Sequence, residues 1–141
     1  MSAPAERPVV DRRAPPLPRW HPAVLAGALW AAVAVRLVRR RLKQNGLRAR
    51  VPPPPRLSPR AGRGVKAVLG RLAPTCLERA LVEQAWMTAM GNPQDVVIGV
   101  LPGGMKQGPA HAWVDGTDPR SAADYLELHR MSPPGNAGLP R

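Results

Sequence analysis

The chain has one cysteine, one tyrosine and no phenylalanine, and aromatic residues make up only 4% of its 141 residues. A lone cysteine, Cys76, excludes an intramolecular disulfide framework and any multi-cysteine zinc site. The three histidines, His21, His111 and His129, stand far apart and show no metal-ligand spacing, so no metal is assigned. No phosphate-binding motif and no internal repeat is present, and no cofactor is expected. With so few aromatics, any core must be built from Leu, Val, Ala, Met and the four tryptophans. The longest apolar run, Pro22 to Val35, has 14 residues, short of the roughly 20 that a transmembrane helix needs.

What is abundant is proline, at 19 residues, and positive charge, at a net +12. The charge is uneven. Residues 1–71 hold 16 Lys and Arg against 2 acids, a net of +14, whereas residues 72–141 hold 5 against 7, a net of −2. A basic half of this kind meets nucleic acid, an anionic membrane surface or an acidic protein. Nucleic acid is the weakest of the three, because the basic half lacks interleaved aromatics, an RNP-like run and a GXXG loop between helices.

Composition divides the chain into five stretches. Residues 1–19, with five prolines among arginines, read as a disordered tail. Residues 20–46 form an apolar helix with a basic end: Pro22 suits a first helical turn, Asn45-Gly46 suits the stop, and Trp20 and Trp30 are expected to anchor it. This helix docks on the domain or a partner or, as the second reading, rests its basic end on lipid headgroups. Residues 47–64 are a Pro-rich linker in which Val51–Pro55 is an extended, stiff spacer. Residues 65–131 hold the folded core, and residues 132–141 trail off.

Within the core, Val65–Leu72 gives a short basic amphipathic helix ended by Pro74. Thr75-Cys76-Leu77-Glu78 fits a capping box, opening a buried central helix from Cys76 to about Met90, with Trp86 and Trp113 as core residues. Asp95–Leu101 reads as an inner strand and Ala110–Val114 as a second. Asp115-Gly116 signals a two-residue hairpin. A further helical or extended element is expected within 121–131, around Tyr125, Leu126 and Leu128. The fold class is therefore α+β, with one central helix on a short antiparallel sheet.

Cys76 at a helix start lies where unpaired N–H groups and the positive end of the helix dipole favour a thiolate. His111 follows on a strand with small neighbours, Ala110 and Ala112. A lone cysteine in an apolar helix is more often a small core residue; the capping position and the histidine strand favour a nucleophile and its base. For the orienting acid, a two-residue turn at Asp115-Gly116 would pair Trp113 with Asp118, placing Asp118 on the His111 face at a diagonal of about 7–8 Å. Asp115, four residues along the strand at roughly 13 Å, is the reserve, with Asp124 behind it.

The run CLERALVEQAWMTAMG, followed by DVVIGV, a Gly-rich loop, AHAWVDG and LELHRMSPP, resembles the leader peptidases of lasso-peptide biosynthesis, the B2 proteins of the transglutaminase-like cysteine proteases. The resemblance covers about residues 65–134 and maps the family's nucleophile onto Cys76 and its base onto His111. It implies a small papain-like core and a cytoplasmic cysteine peptidase that removes the leader from a precursor peptide. It also implies a separate, B1-type leader-recognition protein and a lasso cyclase related to asparagine synthetase. The alternative is a catalytically inactive basic adaptor that binds membrane or RNA on the same scaffold.

Overall fold

The computed structural model describes residues 15–134; the disorder expected of residues 1–14 and 135–141 lies outside the described residues. Helix α1 spans Pro22–Asn45. His21 caps it through its imidazole, accepting from the Ala23 N–H at 3.1 Å, with Pro22 in the first turn, and Gly46 ends it at φ 58°. One face of α1, including Val24, Trp30, Ala31, Ala34, Val35 and Val38, is buried.

Helix α2, Gly62–Leu72, starts three residues before the expected Val65 and packs across α1. The crossing is backbone on backbone: a Cβ at Gly64 would lie 2.1 Å from the Val24 carbonyl oxygen. The proline segment between these helices is extended as expected but does not hold them apart. Val51 is buried in the core, and the Trp30 indole donates to the Pro52 carbonyl at 3.1 Å. The segment 47–64 also carries two short 3-10 turns, Gly46–Arg48 and Pro59–Ala61, and the first residues of α2. Trp30 anchors α1, whereas Trp20, which precedes the helix, does not: it is 82% exposed.

Helix α3, Cys76–Ala89, is the central helix. It lies against a three-stranded antiparallel sheet of β1 (Val96–Val100), β2 (His111–Val114) and β3 (Leu126–Met131), in the order β2-β1-β3. β1 is the inner strand and is buried at four of its five positions. Val35 and Val38 from α1, Leu69 from α2, Val82 from α3 and Val96, Val97 and Val114 from the sheet are almost wholly removed from solvent. Each such aliphatic side chain contributes roughly 1.5–3 kcal/mol of burial. The fold is thus a small α+β core, one central helix on a short antiparallel sheet, with a long N-terminal helix built into it.

Two local expectations need correcting. The tight turn at Asp115-Gly116 forms, with the Thr117 N–H bonded to the Val114 carbonyl at 3.1 Å, yet no hairpin follows. A two-residue hairpin of the Asp-Gly type needs positive φ at both central residues; Gly116 has φ 78° but Asp115 is not in that region. The chain therefore leaves the sheet and enters a short helix, α4, at Pro119–Asp124. The element expected within 121–131 is two elements, the end of α4 and then β3.

Candidate active site

Thr75 accepts the Glu78 N–H on its hydroxyl at 3.3 Å, and Glu78 accepts the Thr75 N–H at 3.4 Å, closing the capping box at the head of α3. Glu78 is only 5% exposed. Its charge is met by Arg39 of α1, whose Nε lies 3.1 and 3.2 Å from the two carboxylate oxygens. Cys76, the first residue of α3, is half-buried and is held between Thr75 and Glu78 in this network. Its helix start is thus tied to α1.

His111 opens β2, opposite Gly99 of β1. A Cβ at Gly99 would come within 3.0 Å of the Trp113 ring and the Tyr125 side chain, so glycine lets both aromatics close over β1. They flank the imidazole: Trp113 stacks at 5.8 Å and 21°, and Tyr125 tilts against it at 5.2 Å and 40°. The Trp113 indole nitrogen is buried without a hydrogen-bond partner among the described residues.

Asp118 reaches His111 by a route different from the expected one. It caps α4, accepting from the Ser121 N–H at 3.1 Å and from the Ser121 hydroxyl at 2.6 Å. Its Oδ2 lies 3.9 Å from His111 Nε2, an ion-pair distance longer than a hydrogen bond. The Ser121 hydroxyl and backbone N–H, with His111 nearby, hold the Asp118 carboxyl below the usual carboxylate range.

Asp115, the reserve acid, faces elsewhere. Its carboxylate pairs with Arg130 at 2.8 Å, and the same guanidinium also holds Asp95 at 3.2 Å and Glu127 at 2.8 Å. Asp124 closes α4 as an exposed residue. Neither lines the cavity of about 410 Å³ into which Cys76, His111 and Asp118 all open, together with Arg79, Glu83 and Thr117. Burial pushes the Glu83 carboxyl up, against the opposing pull of Arg79 and Lys66. Among the described residues no cluster of three or more His, Cys, Asp or Glu is placed to hold a metal ion.

Sequence reasoning missed Arg39, Ser121 and Tyr125. A signal existed for Ser121: Asp118-Pro119-Arg120-Ser121 has an N-cap residue followed by proline at the first helical position. No local signal pairs Arg39 with a residue 39 positions away.

None of the curated proteins and none of the solved structures matches the chain. The model of one family, described as the transglutaminase-like superfamily, matches residues 23–132, from the first turn of α1 to just past β3. With the match running through every helix and strand described above, including the basic α1, the chain belongs to the transglutaminase-like superfamily.

Proposed function

We propose that this protein is a cysteine peptidase that removes the leader from a lasso-peptide precursor. In this reading it acts in the cytoplasm, with a separate leader-recognition protein and an asparagine-synthetase-like cyclase that closes the ring on the freed amine. The observation that carries the reading is the shared cavity of Cys76, His111 and Asp118, on a transglutaminase-like fold. The resemblance of the CLERALVEQAWMTAMG and AHAWVDG segments to leader peptidases supplies the substrate class.

In the reaction so assigned, His111 removes the Cys76 proton and the thiolate attacks the scissile carbonyl carbon. Nε2 is turned toward Asp118, so Nδ1 is the nitrogen left to serve the thiol, and Asp118 stabilises the imidazolium. The backbone N–H of Cys76, at the positive end of α3, stabilises the oxyanion. Collapse of the adduct breaks the C–N bond, and the amine leaves with the proton from His111. Water then hydrolyses the thioester, releasing the leader as a carboxylate.

The test is cleavage of a precursor peptide by the full-length protein, with the recognition protein present, followed by mass spectrometry. Cys76→Ala is expected to release no leader. Appreciable release by that variant would sink the peptidase reading and favour the inactive adaptor.

A further inference from the structure

Helix α1 turns one row of side chains into the core and leaves another outside. The outer row runs Leu25, Leu29, Val33, Arg36, Arg40 and Lys43, at spacings of three and four, and every member is exposed. Leu25, Leu29 and Val33 are 52%, 68% and 44% exposed, and Trp20, just ahead of the helix, is 82% exposed. The row is therefore aliphatic over its first turns and cationic over its last. Between Arg12 and Leu77 the chain contains no Asp or Glu, and Glu78 is taken by Arg39 on the inner side. Nothing on α1, on α2 or between them offsets the positive charge of this face.

We propose that this row is the surface by which the protein lies on an anionic lipid bilayer. Leu25, Leu29, Val33 and Trp20 enter the boundary between headgroups and acyl chains, and Arg36, Arg40 and Lys43 meet headgroup phosphates. By length and composition α1 could cross a bilayer, with a mean hydropathy of 1.5 over its best 18-residue stretch. Its inner face, however, is packed on α2 and α3 through Val35, Val38 and the glycine crossing. Spanning would strip that face from the core, whereas lying flat leaves the core intact. The row is one side chain wide; its basic half offers only donors, and its aliphatic half offers no hydrogen-bonding group. That combination asks for dense negative charge beside hydrocarbon rather than for a shaped protein surface, and an exposed tryptophan beside it suits the same interface.

The experiment is sedimentation of the full-length protein with vesicles of phosphatidylcholine alone and of phosphatidylcholine with phosphatidylglycerol, at low and high salt. Binding is expected only to the anionic vesicles and is expected to weaken as salt rises. The Arg36→Gln, Arg40→Gln, Lys43→Gln variant is expected to lose roughly a hundredfold in affinity, at about fivefold for each charge. The Leu25→Ser, Leu29→Ser, Val33→Ser variant is expected to lose binding while keeping its circular dichroism spectrum, since these side chains lie outside the core; Leu29→Ser alone serves as a milder version. Failure of the wild type to bind anionic vesicles at low salt would overturn the proposal. So would wild-type affinity in both triple variants, or loss of co-elution with a partner protein on changing the aliphatic row without any vesicle binding.

Discussion

Replacing Arg39 by Gln should slow the chemistry of Cys76, although Arg39 belongs to a helix that carries none of the proposed reacting groups. The Arg39 side chain is 45% exposed and that of Glu78 6%, so the substitution leaves a buried carboxylate whose remaining partners among the described residues are the helix N-terminus and the Thr75 N–H. Breaking a fully buried pair costs roughly 3–5 kcal/mol; discounted for the solvent that reaches Arg39, about 1.5–3 kcal/mol is expected. The electrostatic consequence at Cys76 is separate. An uncompensated carboxylate two residues away, screened as at a half-exposed site, disfavours the thiolate by on the order of 1 kcal/mol. That corresponds to about a fivefold lower rate of iodoacetamide alkylation at neutral pH.

The Arg39→Gln, Glu78→Gln double variant removes both charges and keeps a residue compatible with the capping box, so its alkylation rate should return to near the wild-type value. Arg39→Lys keeps the charge but loses the planar fork, so it should alkylate normally and melt at a lower temperature. An Arg39→Gln protein that is folded yet alkylates at the wild-type rate would refute the reasoning. A double variant as slow as the single would do the same.

Other expectations follow from the same geometry. Asp118→Asn should lower single-turnover leader cleavage more than Asp115→Asn, because Asp118 faces His111 while Asp115 is bound to Arg130; Asn still caps α4, which separates charge from fold. The Glu83 carboxyl is pushed up by burial, so its ionised form destabilises the folded state above that raised value. Glu83→Gln should therefore raise the melting temperature at neutral pH, and the difference from wild type should vanish as the pH falls through the raised value and then the unfolded one. Gly64→Ala should cost 3 kcal/mol or more, roughly the upper end for overpacking, because the added carbon meets the Val24 carbonyl; chemical denaturation of the variant would measure it.

Local signals carried far in this chain. The Pro22 start and Asn45-Gly46 stop of α1, the Thr75 capping box and the β-branched run of β1 are each specified by residues within a few positions of one another, and each element lies where those residues put it. That α1 docks is expected from its apolar run, but the contacts that seat it are not legible in that way: Gly64 against Val24 and Arg39 against Glu78. Removing α1 would consequently take Val35 and Val38 from the core, contrary to a modular reading of a basic helix set apart by a proline spacer. Asp118 is instructive in a different sense. The two-residue hairpin that would put it beside His111 does not form, and Asp118 reaches the imidazole because Pro119 and Ser121 make it the cap of a short helix. The φ of Asp115 decided between those two paths, and an Asp-Gly pair alone does not specify it.

The central claim is that Cys76 is the nucleophile and His111 its base, and trapping the acyl-enzyme tests it most directly. The full-length protein would be mixed with a lasso-peptide precursor and its recognition protein, quenched in acid at short times, digested and analysed by mass spectrometry. The account predicts a transient leader adduct on the Cys76 peptide that decays as free leader accumulates, with none formed by His111→Ala. Leader release without any adduct on Cys76, or undiminished release by Cys76→Ala, would contradict it.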